Sequence, residues 1–184
     1  HELDDGRAVV LVTQGTLANQ NPAQLIGPTL QGLAGAGDIQ VIATTGGPQP
    51  EALNMAVPAN ARVLPFLPYD RLLPKVHAMV TNGGYGSVNH ALSLGVPLVV
   101  AGATEEKPEI AARVAWSGAG INLGNGQPTA RQIVLVGEVE RVDAGGRESL
   151  VQRAVRRRPH HDAIDIDPNA RPFFPAEHEE PPLR

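Results

Sequence analysis

Asn82-Gly83-Gly84-Tyr85-Gly86-Ser87 stands between a short apolar run, His77-Ala78-Met79-Val80-Thr81, and a stretch with helical spacing. Glycines let a backbone approach a ligand closely. A helix that starts here would offer unpaired N–H groups and a partial positive charge, a natural seat for phosphate. The Ser87 hydroxyl can add a donor. The same glycines would also serve a tight strand-to-helix turn with no ligand, and the run by itself leaves both readings open. Two other segments end strands in the same way: Gly15-Thr16, and the charged turn Glu105-Glu106-Lys107. Carboxylates accept hydrogen bonds from sugar hydroxyls and an ammonium pairs with phosphate. Equally, a charged turn is an ordinary solvated helix entrance, where acidic residues are favoured. Phe66, in Pro65-Phe66-Leu67-Pro68-Tyr69, could stack on a nucleobase or fill the core. His90, one turn into the helix, could face the crevice or the solvent. Trp116 reads as packing.

Several chemistries are excluded. Gly84-x-Gly86 would need a glycine at 89, which is Asn, and the run follows the fourth predicted strand. A nicotinamide or flavin site is therefore disfavoured, and a Rossmann-type oxidoreductase domain is the weaker alternative. No Gly-x-x-x-x-Gly-Lys-Ser/Thr occurs, so a Walker-type NTPase is out. There is no cysteine, which removes disulfides and thiolate metal sites. His160-His161 has no partner at metal-ligand spacing, and neither metal nor cofactor is expected. Aromatic residues are 3% and the net charge is -4, so no stacking platform or basic field exists for nucleic acid.

The elements that must position these residues alternate. Strands are expected at 8–13, 39–45, 62–66, 77–81, 97–101 and 121–123. Helices are expected at 23–34, 69–75, 87–94 and 109–117. The run Ala8-Val9-Val10-Leu11-Val12-Thr13 is apolar throughout, as in a strand buried on both faces of a parallel sheet. Steady β/α alternation predicts an α/β fold: a Rossmann-like, doubly wound parallel sheet with helices on both faces. In such sheets ligands bind in the crevice at the carboxyl ends of the strands. The 184 residues fit one domain of about 100–200 residues. Ile133 to Val139 reads as a further strand and 147–158 as a basic helix. From Pro159 the prolines crowd and periodicity ends, so 159–184 reads as irregular or disordered. No apolar run reaches the roughly 18 residues of a membrane span. His1-Glu2-Leu3-Asp4-Asp5-Gly6 lacks a basic and apolar leader, so no signal peptide is expected and a cytoplasmic location is the default.

Residues 9–133 resemble the C-terminal, donor-binding half of GT-B fold glycosyltransferases of the UDP-glycosyltransferase superfamily. The match is carried by Val10 to Thr16, Thr44-Thr45-Gly46-Gly47, Phe66-Leu67-Pro68, Leu72-Leu73-Pro74, Val80 to Ser87, Ala91 to Val100, and Ala112-Arg113-Val114 with Gly118-Ala119-Gly120, in this order. The resemblance implies a nucleotide-sugar domain at 1–133, an atypical continuation at 134–158, and the tail at 159–184. It implies that Asn82, Gly84, Tyr85, Gly86 and Ser87 hold the donor's diphosphate, with Gly15 and Thr16 touching the same molecule. Phe66 and the Leu67 backbone would take the base and His90 the ribose, where the family has Glu. Glu106-Lys107 would stand where the family has an Asp-Gln pair on the sugar hydroxyls. The phosphate-contacting His of the family is Asn82 here. The implied reaction is inverting, metal-independent transfer from a nucleotide-diphosphate sugar (UDP or TDP) to a hydroxyl of a small or lipid acceptor. The family's acceptor pocket and general base lie in an N-terminal domain, the expected partner. No residue of this chain is therefore expected to be catalytic, and the chain alone is expected to be inactive. The competing expectation is a degenerate nucleotide-binding remnant.

Overall fold

The computed structural model describes residues 3, 5–16, 21–47 and 55–134. Six strands, β1 (Ala8–Thr13), β2 (Ile39–Thr44), β3 (Ala61–Leu64), β4 (Ala78–Thr81), β5 (Leu98–Val100) and β6 (Gly120–Asn122), form one sheet. Its order is β3-β2-β1-β4-β5-β6. Every pairing is parallel. The helices are α1 (Ile26–Gly32), α2 (Tyr69–Leu72), α3 (Tyr85–Ser93) and α4 (Lys107–Trp116). The α/β, doubly wound, Rossmann-like class expected from the sequence is the one found.

Alternate strand residues feed two apolar layers. Val9, Leu11, Ile42, Met79, Leu98 and Val100 pack with Leu72 of α2, Val88 and Ala91 of α3, and Ala111 and Val114 of α4. Val10, Val12, Val41, Ala43, Val80 and Val99 pack with Ile26 and Leu30 of α1 and with Ile133. β1 is buried over five of its six residues, as its uninterrupted apolar run requires. Each such Leu or Val contributes about 1.5–3 kcal/mol relative to exposure. The sheet is thus clamped from both sides, and its carboxyl edge is held rigidly.

That edge is level. Thr13 of β1 stands beside Thr44 of β2 and Thr81 of β4, and Thr81 beside Val100 of β5. The order in which strands are added reverses between β1 and β4: one run proceeds outward through β2, the other through β5. This is the topological switch point, where the loops that follow β1 and β4 must part and leave a crevice.

Three expectations change. Helices α3 and α4 each begin two residues earlier than the spacing suggested, so Tyr85 and Lys107 are already helical. The reading of a strand from Ile133 is overturned at its start, because residues 130–134 are helical. The cause is a capping box. The Gln132 N–H donates to Thr129 Oγ1 at 3.3 Å, and the Thr129 N–H donates to Gln132 Oε1 at 2.9 Å. The remainder of that strand, the basic helix, the proline-rich tail and His160-His161 lie outside the described residues. Trp116, read as packing, is 80% exposed at the end of α4.

Candidate functional site

The loops after β1 and β4 are built alike. The Gly15 N–H donates to Thr13 Oγ1 at 3.1 Å, and the Gly83 N–H donates to Thr81 Oγ1 at 3.3 Å. Each threonine hydroxyl turns the chain out of its strand by bonding the backbone two residues on. Both turning glycines have positive φ, 74° at Gly15 and 86° at Gly83, which only glycine adopts without strain. The two loops are then tied across the switch point, where Asn82 Nδ2 donates to the Gln14 carbonyl oxygen at 2.6 Å.

Gln14 is itself buried. Its Oε1 accepts from the N–H of Leu25 at 3.3 Å and of Ile26 at 3.1 Å, and its Nε2 donates to the Asn21 carbonyl at 3.0 Å. The side chain therefore caps α1, whose own N-cap residue, Leu25, has no polar atoms to do so. The sequence reading missed this role. The signal was a lone amide closing an otherwise apolar strand.

Helix α3 is left open by contrast. Gly84, its N-cap, has no side chain to bond the first turn. The first intrahelical donor is the Val88 N–H, to the Gly84 carbonyl at 3.0 Å. The N–H groups of Tyr85, Gly86 and Ser87 have no partner among the described residues, and all three residues line the crevice. Their cleft of about 820 Å³ is lined from β1 by Thr13 to Thr16, from β2 by Thr44 and Gly46, and by Phe66, Leu67 and Tyr69. Asn21, Gln24, Asn82, Gly84 to Ser87 and Thr104 to Lys107 complete it among the described residues.

Eleven of the twelve expected site residues line this one cleft: Gly15, Thr16, Phe66, Leu67, Asn82, Gly84, Tyr85, Gly86, Ser87, Glu106 and Lys107. Phe66 is 63% exposed, so its reading as core is corrected and its ring is free at the mouth of the cleft. His90 is set apart. Its Nε2 stands 3.0 Å from Asp70 Oδ1, and its ring stands 6.1 Å from that of Tyr69, tilted by 52°. Tyr69 reaches the cleft instead, its hydroxyl 3.1 Å from Thr44 Oγ1. Tyr69 and Thr44 were not expected in the site, and Glu105 was named in the charged turn but given no separate role. A polar residue ending a strand, as at Thr44, was the available clue.

Opposite α3 stands the start of α4. Lys107 is its first residue, Pro108 follows, and the buried ammonium of Lys107 donates to Glu105 Oε2. Glu105 has φ of 58°, a left-handed conformation that costs a residue with a side chain about 1–2 kcal/mol. Among the described residues no cluster of His, Asp and Glu could hold a metal ion. No helix among them is long and apolar enough to cross a membrane.

A six-stranded parallel sheet with an open helix entrance at its switch point defines a doubly wound α/β domain with a crevice suited to an anion. Residues 29–152 match the family described as erythromycin biosynthesis protein CIII-like, C-terminal domain, and the chain belongs to that family. It is 57% identical over 133 residues to 4'-demethylrebeccamycin synthase of Lentzea aerocolonigenes, covering 72% of this chain and 30% of that protein. It is 43% identical over 130 residues to UDP-glycosyltransferase 2 of Phaeomoniella chlamydospora, covering 69% and 28%. The glycosyltransferase VinC, solved in complex with DTDP, superposes with a TM-score of 0.62 at 25% identity over 83% of this chain and 37% of that one. The sheet is thus the C-terminal half of a GT-B fold, and the chain spans under a third of the length of these two curated relatives.

Proposed function

We propose that this chain is the donor-binding half of an inverting, metal-independent glycosyltransferase. The donor is a nucleotide-diphosphate sugar carrying UDP or TDP, and the acceptor a hydroxyl of a small or lipid molecule. One observation carries the reading: three adjacent backbone N–H groups, on Tyr85, Gly86 and Ser87, open without partners into a cleft at the switch point. The family and its relatives supply the reaction class.

The diphosphate lies against these amides and the Ser87 hydroxyl, and the Gly15-Thr16 turn closes on it from β1. Phe66 and the Leu67 backbone take the base, and Glu106 faces the sugar, with Lys107 beside it in the cleft. When the bond between the anomeric carbon and the diphosphate oxygen breaks, the electron pair leaves with the diphosphate. Donors already aimed at that oxygen stabilise the developing charge without reorganising. The acceptor hydroxyl attacks from the opposite face of the sugar. Its proton goes to a base on a separate acceptor-binding domain, so the chain alone transfers no sugar.

Titration calorimetry with UDP and with TDP tests the reading. Saturable heat with at least one of them is expected. No heat with either at millimolar concentration would leave the alternative, an inert remnant that keeps only the fold. Adding back an acceptor-binding domain should then be required for sugar transfer.

A further inference from the structure

Among the described residues Lys107 is the only Lys or Arg side chain lining the cleft, beside two carboxylates, Glu105 and Glu106. Its side chain is 8% exposed, although ammonium groups are expensive to bury without a partner. The stem is seated in a slot that two glycines create. A Cβ at Gly102 would fall 2.6 Å from Lys107 Cβ and 2.3 Å from the Asn82 carbonyl oxygen. A Cβ at Gly83 would fall 3.5 Å from Lys107 Cβ. The lysine is thereby locked against the same Asn82-Gly83-Gly84 segment that opens α3. Its partner is held quite differently. Glu105 is 68% exposed, and among the described residues it is the only non-glycine at positive φ. A strained, exposed carboxylate is thus turned back onto a buried, fixed cation.

We propose that Lys107 is the fixed counter-ion of the donor's diphosphate, and that Glu105 is a stand-in anion which occupies the ammonium until a donor displaces it. The inference deepens the donor-binding reading and rests on it. A carboxylate beside an empty phosphate seat keeps the ammonium compensated. It also sets a threshold: only a ligand with more negative charge than one carboxylate displaces it. A diphosphate does so, whereas a monophosphate gains less from the exchange. Glu105 then swings into solvent, and its backbone strain favours that departure.

The test is titration of UDP and of UMP into the full chain, as wild type, Lys107→Met and Glu105→Gln, each first shown by thermal melting to be folded. Lys107→Met should weaken UDP by about tenfold or more, the usual worth of a charge-assisted hydrogen bond, and UMP by much less. The salt dependence of UDP binding should flatten with it. Glu105→Gln should tighten UDP, since its competitor is gone, and it remains informative even where Lys107→Met fails to fold. UDP affinity unchanged in Lys107→Met, or weakened in Glu105→Gln, overturns the inference and leaves the donor reading standing. Failure of wild type to bind UDP or TDP overturns both.

Discussion

Asn82 bonds both flanks of the switch point with one side chain. Its Nδ2 donates to the Gln14 carbonyl at 2.6 Å, and its Oδ1 accepts from the Gly84 N–H at 3.3 Å. The family resemblance gives this position to phosphate, but here one of its two amide hydrogens is already committed. Asn82 holds the cleft's walls at a fixed spacing while leaving a single hydrogen for a ligand. Asn82→Ala removes both bonds and frees the Gly84 N–H. Each lost bond costs about 0.5–1.5 kcal/mol, so a fall of about 1–3 kcal/mol in urea-unfolding stability is expected. Asn82→Asp keeps the acceptor but sets a carboxylate against the Gln14 carbonyl, and should lose at least as much at neutral pH. Equal stability of the three proteins would show that the two loops hold their spacing without this tie.

Gln14 carries a larger load because it is buried. Gln14→Leu leaves the Leu25 and Ile26 N–H groups without the partner they now share, while the Asn21 carbonyl keeps the Gln24 N–H. A buried polar group left unsatisfied costs about 1–3 kcal/mol. A loss of about 3 kcal/mol or more in denaturant stability is expected, together with weaker nucleotide binding, because α1 anchors the loop after β1. Amide hydrogen exchange should localise the loosening to Leu25 and Ile26. Protection there equal to wild type would sink this account of α1.

Much of the sheet was legible because burial on both faces writes itself into composition. Ala8 to Thr13 shows it as an apolar run and Ile39 to Thr44 as one broken only by Gln40, and both were placed to within a residue. The cleft was legible wherever glycine marks it. What escaped was local polar chemistry. A Thr-x-x-Gln pair turns residues 130–134 into helix although Ile133 and its neighbours have strand composition. Helices α3 and α4 start early because helix entry is set by backbone N–H groups, which apolar periodicity does not report. Phe66 is exposed because the two prolines around Phe66-Leu67 hold it at a strand end, beyond the reach of the core.

The glycines of the site divide by what surrounds them. A Cβ on Gly102 would stand 2.3 Å from the Asn82 carbonyl, whereas one on Gly86 meets nothing within 4 Å. Gly102→Ala must push apart the segments after β4 and β5, and should cost about 1–3 kcal/mol as overpacking does. Gly86→Ala sits inside α3 at helical geometry and should be neutral, or stabilising by about 0.5–1 kcal/mol. The added methyl nevertheless borders the cleft, so UDP affinity should drop in Gly86→Ala while its melting temperature does not. Thermal melts and calorimetry on the two variants together check this. A Gly86→Ala protein that binds UDP as wild type does would mean that the diphosphate does not rest against the first turn of α3.

His90 gives the sharpest conflict between resemblance and geometry. The family places a ribose-binding Glu at this point of the helix. In the structure the imidazole stands 3.0 Å from Asp70 and beside the Tyr69 ring, and it is Tyr69, not His90, that lines the cleft. The Asp70 side chain is 88% exposed, so the pair contributes little to stability, about 0.2–1 kcal/mol at most. Any influence of His90 on the ligand therefore runs through Tyr69, whose hydroxyl is 3.1 Å from Thr44 Oγ1. Three consequences separate this from direct ribose contact. His90→Ala should weaken UDP only modestly, by about threefold or less if a single neutral contact is disturbed. Its preference for UDP over 2′-deoxyuridine diphosphate should stay as in wild type, because no hydrogen bond to the 2′-hydroxyl has been removed. Tyr69→Phe combined with His90→Ala should be less than additive, as expected of residues acting along one line. A collapse of the ribose preference in His90→Ala alone would place the imidazole on the sugar, and would mean that the Asp70 pair opens when nucleotide enters.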